Sequence, residues 1–264
     1  MSRARQAIIL AAGRGSRLGA AGADQPKCLQ RLAGRALLEW NLDALHSAGI
    51  QRIMLIGGWQ ADKLSGYPLE LRVHDRWSQT QSVGSLLQAA DWCASEESLV
   101  LYGDGAYSPE LLAGVFDAPE CDILVPGDRA WLAQWQLRFT DPLADAESWH
   151  HEGCWLRSIG RRIQSAEQAS AQFAGLLRLS PAGWQRISAL IQQIEHEEGL
   201  AAVDRLDMTA LLARLLEQRV ALACHLFDGG WVEVDSEHDL RQYETALAAG
   251  HFLHDFRPTE FRSA

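Results

Sequence analysis

The sequence predicts an α/β fold, in which a mostly parallel sheet is flanked by helices and joined by a smaller antiparallel region. Residues 7–12 form a continuous apolar run, as expected of a strand buried on both faces. Strand-like and helix-like segments then alternate through the first half of the chain, an order typical of parallel strands covered by helices. The 264 residues, 47% of them hydrophobic, suffice for one large core.

The first half supplies most of the predicted sheet. Further strands are predicted at residues 52–56, 69–73, 99–102 and 123–125. Helices are predicted at residues 36–48, 83–93 and 109–116. The first of these helices stops at Gly49, and Ser108 is a suitable N-cap for the last. Residues 13–27 are rich in glycine, alanine and charge and are expected to form a loop.

The second half is less regular. Strands of an antiparallel region are predicted at residues 154–159 and 173–179. Residues 220–227 and 231–234 resemble a hairpin that turns at Asp228-Gly-Gly230. Helices are predicted at residues 181–195, 208–217 and 237–248. No internal repeat or linker divides the chain, so we predict a single domain over 1–264.

The composition argues against several classes of protein. A net charge of -10 disfavours a nucleic-acid partner, because phosphate neutralisation supplies most of the affinity of such proteins. No apolar stretch is long enough to span a bilayer, and the N-terminal apolar run is too short for a secretory signal. The five cysteines are scattered and contain no Cys-x-x-Cys pair. We therefore expect a cytoplasmic protein without a membrane partner.

A glycine-rich turn follows the first strand, in the sequence Leu10-Ala-Ala-Gly-Arg-Gly-Ser-Arg17. Glycines at such a turn let backbone N–H groups approach a polyphosphate closely, and arginine adds charge for forked bonds to phosphate. A dinucleotide-binding turn should open directly into a helix, whereas some fifteen residues intervene here. No Gly-Lys-Ser/Thr of a Walker loop follows either. A plain surface loop is the remaining alternative.

Several spaced elements together resemble the signature of the sugar-nucleotidyltransferase-like NTP transferases. They are the glycine turn, Pro26-Lys-Cys-Leu29, Gly34 and a helix containing Leu38-Glu39. The resemblance implies a Rossmann-like, GT-A-like nucleotidyltransferase fold. It also implies that the turn wraps the NTP phosphates, and that Arg17 and Lys27 are the catalytic cations. Arg17 would contact the leaving pyrophosphate, and Lys27 the phosphates at the reaction centre. The nucleotide-binding residues of the turn would be Leu10, Ala12, Gly13 and Gly15.

Two acidic segments are candidates for a magnesium site. Asp104 follows the strand at 99–102, and ligand sites of open α/β sheets lie at such carboxyl ends. Glu233 and Asp235 alternate along a late strand and so share one face. The family resemblance implies that Asp104 and Asp235 hold Mg²⁺, with Glu233 beside them. The alternatives are a turn-forming Asp104 and an Asp235 that serves the start of the next helix.

A loop before the helix at 83–93 is the candidate nucleobase site. Gln79, Gly84 and Ser85 match the spacing of the family's base-contacting loop, and a Gln can form hydrogen bonds with the edge of a base. A plain helix-entry loop is an alternative, and the residues leave the base open.

The resemblance is closest to the phosphocholine and phosphonate cytidylyltransferase branch, which implies CTP as donor. It implies an NTP-binding half over 1–126, an acceptor-binding half over 127–230 and a closing metal-site segment over 231–264. Aromatic faces and carboxylates suit a quaternary ammonium or amine. The candidate acceptor contacts are therefore Trp131, Trp135, Asp145, Glu147 and Gln172. Trp131 and Trp135, four residues apart, are alternatively the buried stripe of a helix.

The predicted activity is transfer of a nucleoside monophosphate, from CTP in this branch, to a small phosphorylated or phosphonate acceptor such as phosphocholine or 2-aminoethylphosphonate. Pyrophosphate is the other product. The alternatives are a sugar-1-phosphate nucleotidyltransferase and, in another class, a nucleotide-binding regulatory protein without turnover. An NAD-linked oxidoreductase comes last. The sequence leaves the acceptor and the oligomeric state open.

Overall fold

A computed structural model describes residues 6–15 and 24–262. Its strands are β1 (Gln6–Ala11), β2 (Arg31–Leu32), β3 (Arg35–Ala36), β4 (Arg52–Gly57), β5 (Glu70–Val73), β6 (Ser98–Tyr102), β7 (Gly105–Tyr107), β8 (Ile123–Asp128), β9 (Glu147–Glu152), β10 (Trp155–Arg162), β11 (Gln172–Phe173), β12 (Leu176–Leu179), β13 (Ala223–Phe227) and β14 (Trp231–Glu233). Its α-helices are α1 (Leu37–Ser47), α2 (Ser82–Leu87), α3 (Ala90–Ser95), α4 (Pro109–Asp117), α5 (Trp131–Arg138), α6 (Pro181–Glu198), α7 (Leu200–Asp204), α8 (Met208–Glu217) and α9 (Glu237–Ala249). Arg17 lies outside the described residues.

One large sheet forms the centre of the molecule, with strand order β5-β4-β1-β6-β12-β8-β13-β10-β9 and with β11 beside β8. Strands β5, β4, β1 and β6 are parallel. Ile8 packs into the core on one face of the sheet and Ile9 into the core on the other, and both are fully buried. This two-sided burial explains the continuous apolar run of β1.

The predicted α/β class, with a mostly parallel sheet flanked by helices, is confirmed. The antiparallel strands predicted at residues 154–159 and 173–179 belong to this same sheet. Strand β12 lies inside the main sheet, antiparallel to both β6 and β8, and β10 and β9 extend the same sheet at one edge. Periodicity identifies a strand but leaves its neighbours undetermined.

Two local predictions are wrong. Residues 220–234 do not form a hairpin, because β13 pairs with β8 in the main sheet whereas β14 pairs with β7 in a small separate sheet. Gly229 and Gly230, with φ of +66° and +73°, allow the chain to pass from one sheet to the other. The predicted helix at 83–93 is two helices, α2 and α3, because the backbone leaves helical geometry at Ala89.

The ends of the parallel strands position the candidate site. Strands β1 and β6 run side by side, so residues 12–15 of the glycine turn and Asp104 emerge at the same edge of the sheet. A Cβ on Gly103 would lie 2.8 Å from the Cβ of Ala11, so glycine permits this close approach. Strand β14 then pairs with β7, and the Val234 N–H donates to the Asp104 carbonyl oxygen at 3.0 Å. This pairing places the late acidic segment beside Asp104.

None of the helices in residues 6–15 and 24–262 has both the length and the apolar character needed to cross a membrane.

Candidate active site

A cavity of about 360 Å³ opens at this edge of the sheet. Its lining includes eight of the residues predicted from the sequence, namely Leu10, Ala12, Gly13, Gly15, Lys27, Ser85, Asp104 and Asp235. They come from five separate segments of the chain, and the fold brings them around one space.

Lys27 lies at the centre of the charged part of the cavity. It begins a short 3-10 turn after Pro26, and its Nζ donates to Asp104 Oδ2 at 2.7 Å and to Asp235 Oδ1 at 2.5 Å. Burial by itself would lower the pKa of Lys27, but the carboxylates of Asp104 and Asp235 hold it above its usual value. Lys27 is therefore a fixed cation at the cavity.

Three carboxylates form a cluster that suits a hard cation. Asp104, Glu233 and Asp235 each offer an oxygen, and these atoms lie within 4.8 Å of one another. Asp104 Oδ1 is buried and accepts no hydrogen bond from the described part of the chain. Carboxylate oxygens are the ligands that Mg²⁺ prefers. The donor set and the uncommitted oxygen therefore fit a divalent cation.

Glu233 is held in an unusual electrostatic environment. Burial raises its pKa to about 7, and the neighbouring Asp235 and Asp104 act in the same direction. The cations Arg138 and Lys27 act in the opposite direction without restoring the usual value. Because metal ligands must be ionised, cation binding at this cluster is expected to depend on pH near neutrality.

The predicted nucleobase residues are only partly at the cavity. Ser85 lines it, but Gln79 is exposed and Gly84 lies at a neighbouring cavity. The 3-10 turn at Trp77–Gln79 instead places other side chains at the wall, which are Trp77, Thr80, Gln81 and Ser82. Gln81, two residues further on, thus stands where the sequence analysis expected Gln79.

Trp77 is an aromatic wall that the sequence analysis missed. Its ring lies 5.5 Å from that of Trp59, and the Arg14 guanidinium lies 4.7 Å above the Trp59 ring. Gly58 makes this packing possible, since a Cβ there would lie 2.7 Å from the Cβ of Trp77. Trp77 stands two positions before Gln79 in the sequence, and this position within the candidate base loop could have identified it as a site residue.

The predicted aromatic acceptor contacts are core residues. Trp131 and Trp135 are 3% and 4% exposed, and their rings meet edge to face at 5.9 Å. The Trp131 indole N–H donates to the Ala169 carbonyl oxygen at 3.1 Å. Neither residue lines the cavity, because α5 turns this face towards the core. These two predictions are corrected to the buried-stripe alternative.

The polar acceptor candidates lie outside the cavity lining. Gln172 is buried and accepts from the Glu147 N–H at 3.1 Å, while its amide donates to the Glu147 carbonyl oxygen. Gln172 thereby ties β11 to β9. Burial raises the pKa of Glu147, which faces Thr209 and Asp207, and Asp145 is exposed.

A buried arginine beside the cluster also escaped the sequence analysis as a site residue. Arg138 contacts both Glu233 and Asp235. Its separation from Asp235 by 97 positions left no local signal in the sequence.

Known proteins resemble this chain in both sequence and fold. CTP:phosphoglutamine cytidylyltransferase of Campylobacter jejuni is 28% identical over 246 residues, which cover 89% of this chain and 97% of the relative. The inositol-1-phosphate CTP transferase of T. maritima matches with a TM-score of 0.72 at 20% identity, covering 92% of this chain and 95% of that one. CTP:phosphocholine cytidylyltransferase of Streptococcus pneumoniae matches with a TM-score of 0.68 at 19% identity, covering 93% and 99%.

The amino-terminal part of the chain matches a known protein family. Residues 7–171 match the MobA-like NTP transferase domain, and this range includes the glycine turn, Lys27 and Asp104. The match covers more than half of the chain. The protein is thus a nucleotidyltransferase and belongs to the family of MobA-like NTP transferases.

Proposed function

We propose that this protein transfers CMP from CTP to a small phosphorylated or phosphonate acceptor, such as phosphocholine or 2-aminoethylphosphonate, and releases pyrophosphate. The observation that carries the proposal is the meeting of Lys27, Asp104 and Asp235 at one cavity beneath the glycine turn. The names of the three similar proteins support CTP as donor, and they add phosphoglutamine and inositol 1-phosphate to the acceptors to be tested.

The nucleotide half of the proposal assigns roles to the cavity residues. Gly13 and Gly15 allow backbone N–H groups to approach the triphosphate, and Lys27 places a fixed positive charge beside it. Arg17, by resemblance, contacts the leaving pyrophosphate. Ser85, Gln81 and Trp77 are the candidate contacts for the base and sugar.

The reaction is an in-line displacement at the α-phosphorus. An acceptor oxygen forms a bond to that phosphorus while the bond to the bridging oxygen breaks, and pyrophosphate carries away the electron pair. A phosphate or phosphonate dianion is already nucleophilic, so no general base is needed. The protein then contributes positioning and charge stabilisation.

Asp104, Glu233 and Asp235 are the residues that would hold Mg²⁺. When bound, Mg²⁺ supplies positive charge that offsets the negative charge on the α-phosphate and the leaving group.

The acceptor half of the proposal rests on polar side chains outside the lining of the nucleotide-binding cavity. Asp104, Asp207 and Glu233 all act electrostatically on the buried Tyr102, and Asp207 also acts on Glu147. Asp207 and Glu147 are thus close enough to interact, and carboxylates suit an acceptor that carries an ammonium group. Asp145, Glu147 and Gln172 therefore remain candidate acceptor contacts within the 127–230 half. The 1–126 half would bind the nucleotide, and 231–264 would complete the metal site. We propose the cytoplasm as the location.

The test is a matrix of nucleoside triphosphates and acceptors, read out by pyrophosphate release in the presence of Mg²⁺. We expect the highest rate with CTP and one of the small phosphorylated or phosphonate acceptors. Asp104→Asn should lower that rate by roughly 10²–10³-fold, as loss of one electrostatic contact at a reaction centre does. Asp62→Asn, at an exposed position, is the matched control.

Two outcomes would contradict the proposal. Turnover confined to hexose 1-phosphates would favour a sugar-1-phosphate nucleotidyltransferase on the same scaffold. Magnesium-independent NTP binding without pyrophosphate formation would favour a regulatory nucleotide-binding protein.

A further inference from the structure

Helix α5 presents two buried polar side chains to the metal-site segment. Gln134 and Arg138 are four residues apart, so they lie on the same face of the helix. The side chain of Arg138 is fully buried, and Gln134 is also 0% exposed. Buried polar groups of this kind destabilise the fold unless each has a hydrogen-bond partner, and both side chains have partners in this segment.

Gln134 holds the backbone of β14. Its Oε1 accepts from the Glu233 N–H at 3.0 Å and from the Tyr243 hydroxyl at 2.9 Å. Its Nε2 donates to the Trp231 carbonyl oxygen at 3.3 Å. The backbone on both sides of Val232 is thereby fixed relative to α5.

Arg138 holds the acidic side chains of the same segment. Its Nη1 donates to Glu233 Oε2 at 2.8 Å, and its Nη2 donates to Asp235 Oδ2 at 2.6 Å. Its Nε lies 3.6 Å from Asp239 Oδ2. The rings of Trp135 and Phe139 pack against the guanidinium at 5.2 Å and 4.8 Å. The guanidinium is therefore held between three carboxylates and two aromatic rings.

The two oxygens of Asp235 have different partners. Oδ2 is bound by Arg138, whereas Oδ1 faces Lys27 at 2.5 Å. The oxygen of Asp235 that Arg138 does not bind is thus the one that contacts Lys27 at the cavity. The Arg138 side chain is fully buried and does not line the cavity, so it would reach a ligand there only through these carboxylates.

We propose that Arg138 is a positioning residue, whose guanidinium sets the orientation of the Glu233 and Asp235 carboxylates for metal binding while Gln134 fixes their backbone. The inference rests on the proposed function, since it assigns the cluster to a metal. A lysine at this position would keep the positive charge. It would lose the planar pair of N–H groups that reaches two carboxylates at once. Geometry and charge can therefore be separated by substitution.

The test measures Mn²⁺ binding by electron paramagnetic resonance, with Mn²⁺ as the only ligand, in wild type, Arg138→Lys and Arg138→Met. We expect Arg138→Lys to weaken Mn²⁺ binding by about 10–100-fold, the usual effect of losing a residue that orients metal ligands. Arg138→Met should weaken it as well, because the loss of orientation outweighs the gain from removing a positive charge. If Arg138 were only a counter-charge, the lysine variant would bind like wild type and the methionine variant would bind more tightly, and either result would overturn the proposal.

Arg178→Lys is the matched control for loss of a buried arginine. Arg178 is 1% exposed and donates to backbone carbonyls at the end of α4. It pairs with Leu99 near the start of β6, whereas Asp104 lies beyond the other end of that strand. We expect a lower Tm in this variant with unchanged Mn²⁺ affinity. An equal loss of affinity in Arg178→Lys would show that the effect is general destabilisation and would overturn the proposal.

The same titration separates failure of this inference from failure of the proposed function. Asp104→Asn should weaken Mn²⁺ binding whatever Arg138 does. Mn²⁺ binding that is insensitive to Asp104→Asn would overturn the metal site itself. Binding that depends on Asp104 but not on Arg138→Lys would overturn the positioning role alone.

Discussion

Replacing Lys27 with methionine tests the centre of the site, because it removes the ammonium group and keeps most of the side-chain volume. In the structure that ammonium bridges two carboxylates, at 2.7 Å from Asp104 and 2.5 Å from Asp235. Its side chain is 12% exposed, and those of the two partners are 25% and 10% exposed. The substitution therefore leaves two close, poorly solvated negative charges facing each other.

The expected magnitudes follow from this burial. Removing one partner of a buried ion pair costs about 3–5 kcal/mol of unfolding free energy, and the partial exposure of Asp104 favours the lower end. The loss should be largest in chelator, because a cation that takes the place of the lost ammonium stabilises the native state of the variant more than that of wild type. At a concentration about 100 times its Kd, such a cation would add about 2.7 kcal/mol to the unfolding free energy of the variant. Activity with Mg²⁺ should still fall by roughly 10²–10³-fold, because one electrostatic contact at the reaction centre is lost.

The assays are thermal unfolding with chelator or Mg²⁺ and pyrophosphate release at saturating Mg²⁺. Lys63→Met is the matched control, since Lys63 is exposed and is the only other lysine of the sequence. The control should match wild type in rate and in its response to Mg²⁺. Near-normal turnover in Lys27→Met would refute the catalytic assignment. Equal Tm values of wild type and variant in chelator would refute the electrostatic argument.

Three further substitutions test other parts of the structure. The pKa of Glu233 is raised to about 7 from the usual 4.5, so between these values the native state keeps a proton that the unfolded chain has lost. The unfolding free energy in chelator should therefore fall as pH rises through that window. Glu233→Gln should make the unfolding free energy less dependent on pH. Equal pH dependence of wild type and variant, measured by denaturant titration at several pH values, would contradict this. A Cβ on Gly58 would lie 2.6 Å from the Ala12 carbonyl oxygen and 2.7 Å from the Trp77 Cβ. Gly58→Ala should displace the cavity wall and lower kcat/KM for CTP by up to ~10²-fold. Gly66→Ala is the control, since a Cβ at Gly66 has no neighbouring atom within 4 Å, and its kcat/KM should not change. Equal kinetics in the two variants would exclude this role for Gly58. The fully buried Asp128 accepts from His254 Nε2 at 2.8 Å and from Trp231 Nε1 at 2.9 Å on one oxygen. On the other oxygen it accepts from the Ala130 and Gly229 N–H groups at 2.8 Å and 3.1 Å. Asp128→Asn replaces one of these accepting oxygens with a donating amide. It should lower the unfolding free energy by about 1–3 kcal/mol for each donor left unpaired. The measurement is urea unfolding, and an unchanged midpoint would refute the prediction.

The local elements and the candidate residues of the site could be predicted from short stretches of sequence. Two-sided burial was visible in the apolar run of β1, and cap residues marked helices such as α4, whose N-cap Ser108 accepts from the Leu111 N–H. The family motifs also selected Lys27, Asp104 and Asp235, and the structure brings their side chains together. These features depend on short-range patterns and on residue types at fixed spacings, which a single sequence displays directly.

Which distant segments become neighbours is apparent from the folded chain alone. The tertiary structure inserted β12 between β6 and β8, directed Trp131 and Trp135 into the core, and placed Trp77 at the cavity. It also brought Arg138 to Asp235 across 97 positions of sequence. The physical reason is that strand order and helix docking are set by packing over the whole core, where each contact depends on all the others. Local periodicity fixes which face of an element is buried, but not the partner that covers it.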